Sequence, residues 1–132
     1  MTAKDHYYAG IDFFGDGKLD AAIAEYDRAL ALDPKFADAL HGLAQAYYAK
    51  EDFDRAIDSA RRIVALDPDD ILGWTTISRS YQRKGMVPEA EEAGNKARVL
   101  GWKKQLRDQK TQDHTKDQKI QDKDQKTKEQ GS

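Results

Sequence analysis

"LALDPKFADAL" at residues 30–40 and "VALDPDDILGW" at residues 64–74 break off in the same way. Each carries Ala-Leu-Asp-Pro, once at Ala31-Leu32-Asp33-Pro34 and once at Ala65-Leu66-Asp67-Pro68, 34 residues apart. Proline cannot continue a helix interior, and it drives the residue before it out of the helical region. Two such stops at one interval predict two equivalent units, which should also match elsewhere at the same offset.

They do. Phe13, Tyr47 and Tyr81 form one series at that spacing, and Ala22, Ala56 and Ala90 form a second. Ala29, Ile63 and Ala97 form a third, and Leu32, Leu66 and Leu100 a fourth. Gly17, Glu51 and Gly85 fall where the chain must turn. Repetition at this length marks an architecture of stacked repeats.

Each unit reads as two helices. Tyr8, Ala9, Ile11, Phe13 and Phe14 precede a "GDGK" turn. Leu19, Ala22, Ile23, Tyr26, Ala29 and Leu30 follow at spacings of three and four, one face of a helix. The second unit runs Leu40, Leu43, Ala44, Tyr47, a "KED" turn, then Phe53, Ala56, Ile57, Ala60, Ile63 and Val64. The third runs Trp74, Ile77, Tyr81, an "RKGM" turn, then Val87, Ala90, Ala93, Ala97 and Leu100, with Pro88 in a first helical turn. The alanines let paired helices approach, and the Phe13, Tyr47 and Tyr81 rings fill the space opposite.

In this register the residues resemble three tetratricopeptide repeats, at 3–36, 37–70 and 71–104. The first matches the family pattern at Gly10, Phe13, Ala22, Tyr26, Ala29 and Pro34. The second matches at Leu43, Ala44, Tyr47, Ala56 and Pro68, and the third at Trp74, Tyr81, Gly85, Ala90 and Ala97. The resemblance implies an all-α, right-handed superhelical solenoid of antiparallel helix pairs. Departures gather in the last repeat: Gly94 replaces an aromatic, Trp102 the closing proline, and Glu91 stands where Ile23 and Ile57 stand earlier. Trp102 and Leu106 are expected to form a short C-terminal cap.

The rest of the chain, 105–132, reads as a polar, low-complexity tail, disordered or a frayed helix. From Asp108 onward its one aliphatic residue is Ile120. Such a segment cannot bury enough apolar surface to offset the entropy of ordering it.

The 132 residues carry a formal charge of −2, so no nucleic-acid or anionic-membrane footprint is expected. The chain has no cysteine, which excludes thiol catalysis and disulfides. Neither a signal-peptide run nor a membrane-spanning stretch is present, and the cytoplasm is the expected compartment. "DFFGDGKLD" at 12–20 brushes against a calcium loop, but Phe14 and Ile23 occupy places that need oxygen ligands. His6, His41 and His114 are scattered in the repeat frame. Nucleotide-loop, zinc-protease and Cys-pair motifs are absent, so no enzyme, cofactor or metal is expected.

The resemblance implies that the first helices of the repeats line a concave groove holding a peptide or helix of a partner protein. Carried over by position, the groove residues are Tyr7, Ile11 and Phe14, then His41, Gln45 and Tyr48, then Leu72, Thr75, Arg79, Gln82 and Arg83, with Lys4, Gly15, Asp38 and Ala49 at the remaining groove-facing positions. Aromatics and arginines dominate binding energy at interfaces. Arg79 and Arg83 suit an acidic partner segment. The family members that grip a chaperone's C-terminal carboxylate do so with residues that fall here on Tyr7, Ile11, Gly42, Leu72 and Thr76. None matches, so that ligand is not expected. Two functions follow: an adaptor that captures a partner segment in the groove, or a scaffold that self-associates through its terminal repeat faces.

Overall fold

The computed structural model describes the backbone of residues 1–130 and the side chains of residues 1–111. Its six helices are α1 (Ala3–Gly15), α2 (Leu19–Leu32), α3 (Ala37–Ala49), α4 (Phe53–Leu66), α5 (Ile71–Arg83) and α6 (Val87–Gln130). The described residues contain no strand. Met1–Arg98 forms one compact unit and the chain from Val99 a second. The all-α, stacked-pair architecture read from the sequence is the one observed.

The two Asp-Pro stops do what their chemistry requires. Asp33 (φ −141°, ψ 91°) and Asp67 (φ −141°, ψ 95°) are extended, as a residue before proline must be. Each still donates its backbone N–H into the helix it ends, to the Ala29 and Ile63 carbonyls. Their carboxylates accept from the Lys35 and Asp69 amides, which turns the chain toward the next helix.

Helix starts repeat less faithfully. Thr2 and Asp5 form a reciprocal capping box on α1, and Asp70 caps α5 through the Gly73 amide. The equivalent of both at α3 is Phe36, which has no capping oxygen. Its ring packs edge-on to Tyr7, centroids 5.2 Å apart, so an aromatic contact between α1 and the start of α3 stands where a cap would be.

Between the helices of each pair, Gly17, Glu51 and Gly85 have φ of 76°, 65° and 76°. All three turns are left-handed, and in the middle one a glutamate adopts glycine's conformation. The stacking is pinned by a repeated ion pair. Lys50 bonds Asp20, and one period later Lys84 bonds Asp54.

The core of the first unit alternates large and small residues. Ala22, Ala29, Ala39, Leu40 and Ala46 are sealed from solvent, and Tyr26 lies among them. A second cluster of Ala60, Ile77 and Ala93 is flanked by Val64, Trp74 and Tyr81. Phe13, Tyr47 and Tyr81 are half-buried against these clusters. Gly94, the departure in the third repeat, stands opposite Ser78. A Cβ at Gly94 would lie 3.0 Å from the Ser78 hydroxyl, which donates to the Ala90 carbonyl at 2.7 Å. The third hairpin has a small residue where the first has Tyr26, because its facing helix has a hydroxyl where the first has Gly10.

Trp102 and Leu106 lie in the second unit and are exposed. Helix α6 carries on through the polar tail to Gln130; His114 and every side chain from residue 112 lie outside the described residues.

Candidate groove on the first helices of the repeats

The first helices are neighbours: α1 touches α3, and α3 touches α5. The backbones of the second helices α2 and α4 stay farther apart, with no Cα atoms within 8 Å of one another. Helices spaced closely on one side and splayed on the other make the α1/α3/α5 side the inner one. That is the side on which the sequence places its groove.

The named residues are not equally available there. Ile11, Phe14 and Leu72 are exposed, at 41%, 38% and 48%, and offer bare apolar surface. Tyr7 is half-buried and belongs to the aromatic packing, 6.1 Å from Tyr26 and 5.2 Å from Phe36 between ring centroids. Burial, with the Asp38 carboxylate nearby, pushes its hydroxyl pKa up. His41 is engaged through Nε2 with Asp70 at 2.9 Å, the carboxylate that also caps α5. Thr75 turns its hydroxyl back to the Ile71 carbonyl at 2.8 Å. Gln45 is half-buried, while Lys4, Gly15, Asp38, Ala49 and Gln82 are exposed.

Tyr48, Arg79 and Arg83 converge. The Arg79 guanidinium carbon lies 5.0 Å from the centroid of the Tyr48 ring, and that of Arg83 lies 5.9 Å from the same ring. Arg83 is also 5.0 Å from the centroid of Phe53, which meets Tyr48 edge-on at 5.5 Å. Glu51 closes the group with a 2.8 Å ion pair to Arg83. The Tyr48 hydroxyl, with Glu51, holds the Arg83 guanidinium above its ordinary pKa.

Such stacking fixes long, flexible side chains before a ligand arrives. Phe53 and Glu51 did not enter the sequence reading as groove residues. Phe53 fits the core periodicity of α4, and Glu51 carried only a turn signal, so neither had a local mark of this role.

His6, the other unusual histidine of the first unit, is half-buried and bonds Glu25 through Nδ1 at 2.7 Å, a structural contact. No group of three His, Cys, Asp or Glu residues able to hold a metal ion exists among the described residues. No described helix is long and apolar enough to cross a membrane.

A family model described as "Tetratricopeptide repeat" matches residues 13–80. The chain is 34% identical over 64 residues to a peroxisomal targeting signal receptor of Candida albicans, covering 48% of this chain and 11% of that protein. It is 37% identical over 77 residues to the TPR repeat-containing protein YpiA of Bacillus subtilis, covering 58% and 18%. The chain therefore spans only a small part of the length of these relatives. Among solved structures, that of MamA superposes with a TM-score of 0.78 at 30% identity, covering 80% of this chain and 61% of that one.

Proposed function

Because the chain belongs to the tetratricopeptide repeat family, we propose that its α1/α3/α5 side receives a peptide or helical segment of a partner protein, in the manner of an adaptor. The observation that carries the reading is the Arg79 guanidinium held 5.0 Å over Tyr48, an aromatic–arginine pair of the kind that concentrates binding energy. Exposed Ile11 and Phe14 of α1 and Leu72 of α5 offer apolar surface on the first helices. Gln45, Gln82, His41 and Thr75 supply polar groups, and Tyr7 is held in aromatic packing with Tyr26 and Phe36. Two relatives are named as receptors of a targeting signal, which accords with a receiving role. The family is one of interaction modules, and the adaptor works by binding, not by catalysis.

Self-assembly through the terminal repeat faces is the weaker reading, for a stereochemical reason. Stacking α3 on α2 uses Ala39, Gly42 and Ala46, and stacking α5 on α4 uses Gly73, Thr76 and Ser80. The equivalent residues of α1 are Asp5, Tyr8 and Asp12, all exposed and too large or too polar for that contact. At the other end Glu91 and Arg98 replace the Ile57 and Val64 of α4.

The test is affinity capture with the intact chain and with a Tyr48→Ala/Arg79→Glu variant shown to fold by circular dichroism. The captured segment is then titrated directly against both forms. Loss of the partner from the variant alone supports the groove. Retention by both forms, or capture of the chain chiefly by itself, rejects it.

A further inference from the structure

Resting on the groove reading, we infer that Tyr48, Arg79 and Arg83 form a seat for a carboxylate-bearing, acidic segment of the partner, and that Glu51 occupies half of this seat in the free protein.

The charge arrangement points to the occupant. Two guanidinium groups stack on one ring, yet the group contains a single carboxylate. Glu51 neutralises Arg83, and Arg79 has no acidic partner among the described residues. The neighbouring lysines are committed elsewhere, Lys50 to Asp20 and Lys84 to Asp54. A partner carboxylate arriving at Arg79 meets a planar cation already oriented by the ring beneath it, with forked donors free. The half-buried Phe53 and Tyr48 rings offer apolar contact beside it, so the segment that fits carries an apolar side chain next to its acid.

Glu51 is the unusual element. Its counterparts one period away, Gly17 and Gly85, take the same left-handed conformation without steric cost. A glutamate with φ of 65° is strained there, and nothing in the turn itself requires a side chain. What the side chain does is reach Arg83. The pair is exposed on both sides, so it exchanges readily with a carboxylate from outside. Glu51 is therefore a built-in competitor: it keeps Arg83 extended over Tyr48 and Phe53 in the absence of a ligand, and it lowers apparent affinity by the fraction of time it occupies the cation.

The experiment uses the full chain and two fluorescein-labelled peptides at low salt, one alternating Glu and Leu and one in which every Glu is Gln. Anisotropy should show the acidic peptide binding about tenfold or more tightly than the Gln peptide, with Arg79→Gln erasing the difference. Glu51→Gly and Glu51→Gln should each tighten the acidic peptide by about three- to tenfold and leave the Gln peptide unchanged. Glu51→Gly keeps the turn in the conformation its glycine counterparts hold, and Glu51→Gln keeps the strain while removing the charge. A gain with glycine but not with glutamine makes the effect one of turn relaxation and overturns the competitor role. Equal binding of the two peptides overturns the acidic partner; the groove reading survives that result if Tyr48→Ala weakens both. Binding of neither peptide overturns the inference, while the groove reading then stands or falls on the capture experiment.

Discussion

A methyl group on Gly42 would stand 2.6 Å from the ring of Tyr26. Gly10 meets the same ring at the same distance from the helix before, so Tyr26 of α2 lies between a glycine of α1 and a glycine of α3. Two helices pass this close to one ring because neither presents a Cβ. Tyr26 is 3% exposed, and the rings around it leave little space into which it can shift. Gly42→Ala is expected to destabilise the first unit by about 1–3 kcal/mol through overpacking. The measurement is the urea midpoint, and Tyr26→Leu combined with Gly42→Ala should recover part of the loss. A midpoint unchanged by Gly42→Ala would mean that the α1–α3 spacing is looser than described.

The strained turn gives the opposite sign. Replacing Glu51 by Gly removes a left-handed non-glycine residue and an exposed ion pair that contributes little to stability. Stability should rise by about 1 kcal/mol, read as a higher urea midpoint with an unchanged slope. The same change at a helical residue would lower stability, so a fall here would show that the Arg83 pair outweighs the backbone term.

Periodicity at 34 residues was enough to read the helix pairs, their turns and the buried alanines, because those depend on spacing and residue size alone. The caps did not follow the period: Thr2 and Asp70 cap their helices through side-chain oxygens, while Phe36 at the equivalent place makes no cap bond and packs on Tyr7 instead. The candidate site was legible in part. Tyr48, Arg79 and Arg83 were identifiable by register, but their stacking depends on side-chain reach across two helices. Gly42 appeared in sequence only as a residue that fails to match a ligand-binding position. Its reason is the Tyr26 ring, 16 residues away in sequence and on another helix. Tyr7 fits the groove register equally well, yet Phe36 and Tyr26 draw its ring into the packing, a competition invisible to spacing.

Adjacent tyrosines separate packing from binding. Tyr47 packs against the core cluster, with the Arg55 guanidinium 5.9 Å from its ring centroid. Tyr48, one helical step round α3, meets Arg79 and Phe53 instead. Tyr47→Ala should cost about 2–4 kcal/mol by leaving a cavity. Tyr48→Ala should cost about 1 kcal/mol or less, since it loses mainly surface stacking. Thermal melts of the two variants decide the matter; equal losses would reverse the assignment of faces.

The His6–Glu25 pair predicts a pH dependence. Glu25 is held below the ordinary glutamate value of 4.5, first by its hydrogen bond to His6 and also by the Arg28 charge. An acid whose pKa is lower when folded binds fewer protons in the native state than in the unfolded chain. It therefore adds stability that is present in full above the unfolded value and is lost as pH falls through the folded one. Glu25 is largely covered, its side chain 14% exposed, so its bonds are only partly replaced by water when broken. Glu25→Gln should lower stability by about 1–2 kcal/mol near pH 7. As pH falls below 4.5 and through the lowered folded value the gap should narrow, because the wild-type carboxyl then becomes protonated as well. Urea denaturation from pH 7 down to pH 3 measures the gap directly. A gap that stays constant over that range would mean Glu25 acts through shape alone, with its charge contributing nothing.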